Sequence, residues 1–374
     1  MRRTLNIERA NQAMDACGLN QATLAKRMEV SKEAVSQWFR HHSFPRPDKL
    51  LKLAKLLKLS FTELVIKEEP EAPVIAFRRM RGTVTKDHHI EKAQDMGRLL
   101  RELVPYLPFD TLEVPPVLKE PGTRYDYIQQ VVAKVRQDLM VSADATLDFH
   151  HLIRRFAALQ TVLIPVLWGN RKRHENALHI YLPDSRTTWV YLNLDVNLHD
   201  FKFWMAHELG HCLSPDLRNE DAEDFADAFA GALLFPKDKA EAAYACLKRS
   251  KTAAGFEKRL FELAKREIIS PYTILMEVNK FAEHFGHVPL KKDHDFFKDL
   301  TRFNQQYPNV SKIILDTEQT SAADFVSRSG EALATPFFGI LRQYLSKSDQ
   351  GPSYVQTVMD LPLLDAKGIH AELS

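Results

Sequence analysis

The chain has 374 residues, 45 % hydrophobic and 27 % charged, which excludes a disordered or fibrous polymer and allows two or three domains with cores of their own. No run approaches the roughly 18 apolar residues of a membrane span, no apolar stretch follows the basic N-terminus, and the cysteines (Cys17, Cys212, Cys246) are scattered and odd in number; a cytoplasmic protein without disulfides is expected. The net charge of +2 hides an asymmetry, because residues 1–66 hold twelve Lys and Arg against six Asp and Glu, a net +6, which leaves −4 on the remainder.

A small basic head on an acidic body is the balance expected when only the head meets nucleic acid. Residues 1–66 read as five short helices. The first, about Leu5–Cys17, carries Ile7, Ala10 and Met14 on one stripe and stops at Gly18. Asn20 can cap the second, in which Leu24, Ala25 and Met28 face inward. Ser31 caps a third over Lys32–Arg40, with Val35 and Trp38 inward. A fourth spans about Pro47–Leu57, and Ser60 to Glu63 form a capping box that opens the last. Helix two, a tight turn at Glu29-Val30 and helix three have the geometry that lays a recognition helix in the DNA major groove. Gln21, Ser31, Lys32, Ser36, Gln37 and Arg40 face away from the apolar stripe, where phosphate and base-edge contacts would lie.

The run Asn20 to Trp38 resembles the Xre/Cro-like repressor family over nearly its whole domain. That resemblance implies binding to a double-stranded DNA operator, usually as a homodimer. A charged, proline-bearing break, Lys67 to Pro73, then opens a connector over 67–122. Phe77 to Arg81 is a basic cluster that either extends the DNA footprint or is a solvated turn. One helix is expected over about Ile90–Tyr106, followed by a stretch punctuated by Pro105, Pro108, Pro115, Pro116 and Pro121.

From 123 to 290 the pattern is that of an α+β body, mainly α. Helices are expected at about Tyr125–Leu139 and His150–Leu159, and strands at Thr161–Trp168, Ala177–Leu182 and Thr187–Leu194. In zinc peptidases an edge strand placed like the last of these pairs with the substrate backbone. The helix about Asp200–Leu213 then carries His207-Glu208-Leu209-Gly210-His211. Two imidazoles four residues apart share one helix face and can reach one metal ion, while Glu208 between them can take a proton from an attacking water. Cys212 lies about 100° around the helix from His211 and reads as a packed thiol. A second helix, about Glu220–Leu234, offers the third ligand. Glu223 is in register with the apolar stripe of Phe225, Ala226 and Phe229, whereas Glu220, Asp221 and Asp224 compete as solvated charges. Asp227, one turn beyond Glu223, can hold a ligand histidine in one tautomer.

Phe203 to His211 followed by Glu223 to Pro236 is similar to the ImmA/IrrE family of zinc metallopeptidases, over about 123–285. The resemblance implies a gluzincin-like domain with a small sheet, Zn2+ held by His207, His211 and Glu223, and Glu208 as general base. It further implies a bacterial regulatory peptidase, held shut until a signal arrives, that cleaves a helix-turn-helix repressor and derepresses stress, mobile-element or phage-defence genes. Asp200 departs from the basic residue that members often carry there. Tyr191, His199 and Tyr272 are unranked candidates for stabilising the oxyanion.

Residues 291–374 carry no chemical motif; helices are expected at about His294–Asn304 and Ala322–Leu345. The alternative to a peptidase is a non-proteolytic Xre-type repressor or antitoxin, with a toxin as partner, in which the peptidase fold only binds or senses. A third reading is self-cleavage within the connector, at 67–90.

Overall fold

The computed structural model describes residues 2–40, 43–68, 73–77, 87–109, 117–169, 177–291, 296–316 and 320–374. The chain divides into two compact units, residues 1–72 and 73–374.

In the first unit, β1 (Arg2–Leu5) pairs antiparallel with β2 (Val65–Glu68), Leu5 opposite Val65. Five helices lie between them: α1 (Ile7–Ala16), α2 (Gln21–Met28), α3 (Lys32–Phe39), α4 (Pro47–Leu57) and α5 (Phe61–Leu64). Each begins where local chemistry satisfies its free N–H groups. Asn6 accepts from Arg9 N, Asn20 and Thr23 form a capping box, Ser31 accepts from Ala34 N, Pro47 needs no partner, and Ser60 and Glu63 form a second box. Leu5 therefore belongs to a strand rather than to the first helix, because Asn6 caps that helix one residue later. Leu24, Met28, Val35, Leu53 and Leu64 are fully buried where the helices meet.

The second unit is mainly helical around a four-stranded sheet. Its strands are β3 (Val74–Phe77), β4 (Val162–Val166), β5 (Ala177–Leu182) and β6 (Thr187–Asn193), in the order β3-β5-β6-β4. Only the β4–β6 pair is parallel. β4 carries Pro165, which an edge strand tolerates. β6 lies between β5 and β4 with both backbone edges paired, so the question the sequence left open is answered: it is not an edge strand. Its seven residues are all buried, and its middle, Trp189 to Leu192, does not alternate with polar residues.

Two amphipathic helices precede β4's neighbours in the chain: α6 (Asp87–Leu103), continued by a 3-10 turn, Val104–Tyr106, and α7 (Tyr125–Asp138). α8 (Phe149–Ala158) leads into β4. After β6 come α9 (Leu198–Leu213), α10 (Asn219–Leu234), α11 (Lys237–Lys248), α12 (Ala253–Glu267) and α13 (Pro271–His284). The last six are α14 (Phe296–Asn304), α15 (Val310–Leu315), α16 (Ala322–Ala332), α17 (Phe337–Leu345), α18 (Pro352–Met359) and α19 (Leu363–Leu373).

The span 67–122, read as a connector, supplies β2 to the first unit and β3 and α6 to the second. Residues 69–72, the basic run 78–81, Pro115 and Pro116 lie outside the described residues, as does most of the 67–90 stretch. The single helix expected over 322–345 is two, broken where Ala334 takes φ 46° and Pro336 removes an N–H. The described residues of 291–374 include a packing layer of the same core. Phe337, Leu341, Val355 and Val358 are fully buried with the sheet residues Ile164, Ile180 and Trp189. Tyr191 Oη donates to Val358 O at 2.6 Å, and Tyr354 Oη donates to Leu99 O at 2.9 Å.

Candidate metal centre

Asn197 starts α9 by accepting from His199 N, and its own amide donates to Asn304 O at 2.8 Å. Val310 N and Ser311 N donate to Val196 O and Leu194 O, so the C-terminal region anchors the start of this helix. All of α9 is buried except Leu198, Asp200 and Phe203. Lys202, fully buried, donates from Nζ to Leu147 O at 2.9 Å and to Glu267 O. Gly210 faces α10: a Cβ there would sit 3.0 Å from Ala226 Cα. Glycine on one helix and alanine on the other bring the two backbones close enough for their polar side chains to converge.

Those side chains are His207, His211 and Glu223, whose donor atoms lie within 4.8 Å of one another. His207 Nε2 and His211 Nε2 face each other at 3.0 Å, Glu223 Oε2 is 3.5 Å from the first, and Glu223 Oε1 is 3.4 Å from the second. Two imidazole lone pairs cannot face each other this closely unless a proton or a cation lies between them. Tetrahedral ligands of zinc, at bond lengths of 2.0–2.1 Å, stand about 3.3 Å apart. The donor set and its spacing fit that group. Glu220, Asp221 and Asp224, on the same helix, are not in the cluster.

Asp227 Oδ1 accepts from His207 Nδ1 at 2.9 Å, which leaves the Nε2 lone pair toward the cluster. Burial opposes a charge on His207, but its hydrogen bonds with Asp227 and Glu223 outweigh that and hold its pKa at about 9. Burial, and then the charge of His207, keep His211 well below its ordinary value. Glu208 is 1 % exposed, with Oε2 4.0 Å from His179 Nδ1.

His179, on β5, is the site residue that sequence reasoning missed. Its ring lies 5.7 Å from that of His211, and burial brings its pKa down to about 3, so it is neutral. Pairing Ala76↔His179↔Val190 turns this one polar side chain of an apolar strand toward α9. Nothing in the spacing of a lone histidine 28 residues before the motif marks it. Cys212 is a buried thiol, pushed up to about 12 by burial, beside Thr161 and His179. Of the oxyanion candidates, Tyr191 is buried with its hydroxyl committed to Val358 O, His199 packs between Phe303 and Tyr307, and Tyr272 packs beside Phe297.

A second cluster of potential ligands, Asp148, His150 and His151, sits at the start of α8. There His151 Nδ1 accepts from Asp148 N at 3.0 Å, which places its proton on Nε2 and leaves neither nitrogen a free lone pair. This cluster is a helix cap.

In the first unit, Glu29 takes the left-handed conformation (φ 55°) that turns α2 into Ser31 and α3. Gln21, Ser31, Lys32, Gln37 and Arg40 are exposed and Ser36 is half-buried, while Val35 and Trp38 face the core. The residues expected to meet DNA are therefore open to solvent at least in part, although the Ser31 hydroxyl also caps α3.

Residues 11–64 match the helix-turn-helix family. Neither a curated protein nor a solved structure matches the chain. The N-terminal unit is a helix-turn-helix domain, which supports a DNA-binding regulator. No helix among the described residues is long and apolar enough to cross a membrane.

Proposed function

We propose that the chain is a DNA-binding regulator whose second unit is a zinc-dependent endopeptidase acting on a regulatory protein, a helix-turn-helix repressor first among the candidates. The reading rests on one observation: His207, His211 and Glu223 bring three donor atoms to mutual distances of 3.0–3.5 Å beside the carboxylate of Glu208. Bound there, zinc would act as a Lewis acid on water and on the peptide carbonyl. Asp227 keeps His207 in the tautomer that offers Nε2. Glu208 takes the proton of the attacking water and returns it to the leaving amine. His179, neutral and 4.0 Å from Glu208 Oε2, borders that carboxylate.

Burial of the reacting groups supports a latent enzyme. His207, Glu208 and His211 are at most 4 % exposed, so a substrate backbone reaches Glu208 only after the surroundings move. The same burial favours the second reading, a repressor or antitoxin that binds metal or a toxin without turnover. Co-expression of the wild type and Glu208→Gln, with zinc and with repressors encoded beside the gene, separates the two. Discrete fragments that appear with the wild type alone support the peptidase. Fragments that persist with Glu208→Gln, or none with any repressor, overturn it.

A further inference from the structure

The face of α10 that carries Ala228 and Ala232 is turned roughly 140–180° around the helix from Glu223. There α7, α10 and α13 line an open cavity of about 410 Å3. Its floor is Ala228 and Ala232, and Ile128 adds an apolar wall. Gly231 lies beside it, and the carboxylate of Glu277 occupies the space that a Cβ there would take.

Three polar groups converge on this space. Glu277 is 3 % exposed, and its Oε1 accepts from Lys280 Nζ at 2.7 Å. Burial pushes its carboxyl upward against the help of that ammonium, so one lysine does not fully compensate it. Tyr125, also in the lining, buries its hydroxyl with no hydrogen-bond partner among the described residues. Glu283 adds a second carboxylate to the wall. At the rim, His284 stacks on the Tyr125 ring with centroids 4.5 Å apart and is paired with Asp126 at 3.1 Å. Lys280 is thus already held by Glu277, and His284 by Asp126. Two lining carboxylates, Glu277 and Glu283, thus face one ammonium, Lys280, which leaves a net negative charge beside a hydroxyl and an apolar floor.

We propose that this cavity binds a small organic cation, a primary ammonium or guanidinium group on a short alkyl chain. The cationic head pairs with Glu277 and donates to the Tyr125 oxygen, and the alkyl chain lies on Ile128, Ala228 and Ala232. An anion is disfavoured by the two carboxylates, and a purely apolar ligand would leave the Tyr125 hydroxyl and Glu277 as they are. The inference is independent of the peptidase reading, since it uses neither the metal cluster nor Glu208.

Titration calorimetry of the full chain with butylamine, cadaverine and agmatine tests it, with pentanoate and sodium chloride at matched ionic strength as controls. Saturable binding of at least one of the three cations, and none of pentanoate, is expected. Glu277→Gln should weaken that binding at least about tenfold, as loss of a charge-assisted hydrogen bond does. Tyr125→Phe keeps the ring that stacks on His284 and should weaken binding severalfold without lowering the melting temperature of the ligand-free protein. It therefore reads the site even if Glu277→Gln does not fold. Absence of saturable binding by all three cations overturns the proposal. So does pentanoate binding as tightly as the amines, or undiminished amine binding in a folded Glu277→Gln or in Tyr125→Phe.

Discussion

Asp227 Oδ1 lies 2.9 Å from His207 Nδ1, across the interface of α9 and α10. The contact joins the half-exposed carboxylate of Asp227 to the most buried imidazole of the cluster, and it decides which nitrogen of His207 faces Glu223. Asp227→Ala should therefore weaken zinc retention by about 10–100-fold while leaving the fold intact. Zinc content after dialysis against a graded chelator measures this. Retention equal to the wild type would remove Asp227 from the centre.

Glu223→Ala should abolish stoichiometric zinc, whereas Glu220→Ala and Asp224→Ala should not. The three share a helix, but only Glu223 belongs to the donor cluster. Metal analysis of the three purified variants is the check, and full zinc in Glu223→Ala would move the assignment to a neighbour.

Glu208→Gln should bind zinc as the wild type does and yield no cleavage of any repressor the wild type cuts, because it keeps the shape of the side chain and removes the proton acceptor. Equal zinc content in both proteins makes the loss a chemical one rather than a loss of the metal.

Glu267 is 3 % exposed and pairs with Lys239 and Arg266, with Thr146 donating to it at 3.0 Å. Burial pushes its carboxyl up, but these partners outweigh burial and hold it below its ordinary value of 4.5. Its unfolded form binds a proton first as the pH falls. The stabilisation is therefore complete above pH 4.5 and lost as the pH drops through the lower folded-state value. Melting temperatures across an acid series should fall more steeply for the wild type than for Glu267→Gln. Glu267→Ala, which leaves Lys239 buried without its carboxylate, should cost about 3–5 kcal/mol in denaturant unfolding.

Lys32 and Gln37 are exposed at the start and on the outer face of α3. Lys32→Ala should weaken operator binding uniformly across sequences and lower the salt slope by about one. Gln37→Ala should instead relax preference at one base pair, by about 1–3 kcal/mol. Anisotropy titrations over a salt series and an operator library separate these outcomes, and a variant of either residue that binds like the wild type excludes that contact.

What could be read from the chain alone is local in origin. Helix starts at Asn20, Ser31 and Ser60, the His207–His211 spacing and the register of Glu223 with its apolar stripe all depend on neighbours within a turn or two. A 3.6-residue period carries that information in the sequence itself. What the tertiary structure decided depends on which surfaces meet. Strand order placed β6 inside the sheet and brought His179 to Glu208, and the approach of Gly210 to Ala226 set the distance between the ligand-bearing helices. Residues 322–373 carry no motif, yet they close the core and accept the Tyr191 hydroxyl. Pairings across more than a hundred residues leave no periodic trace, because only packing of the whole unit selects them.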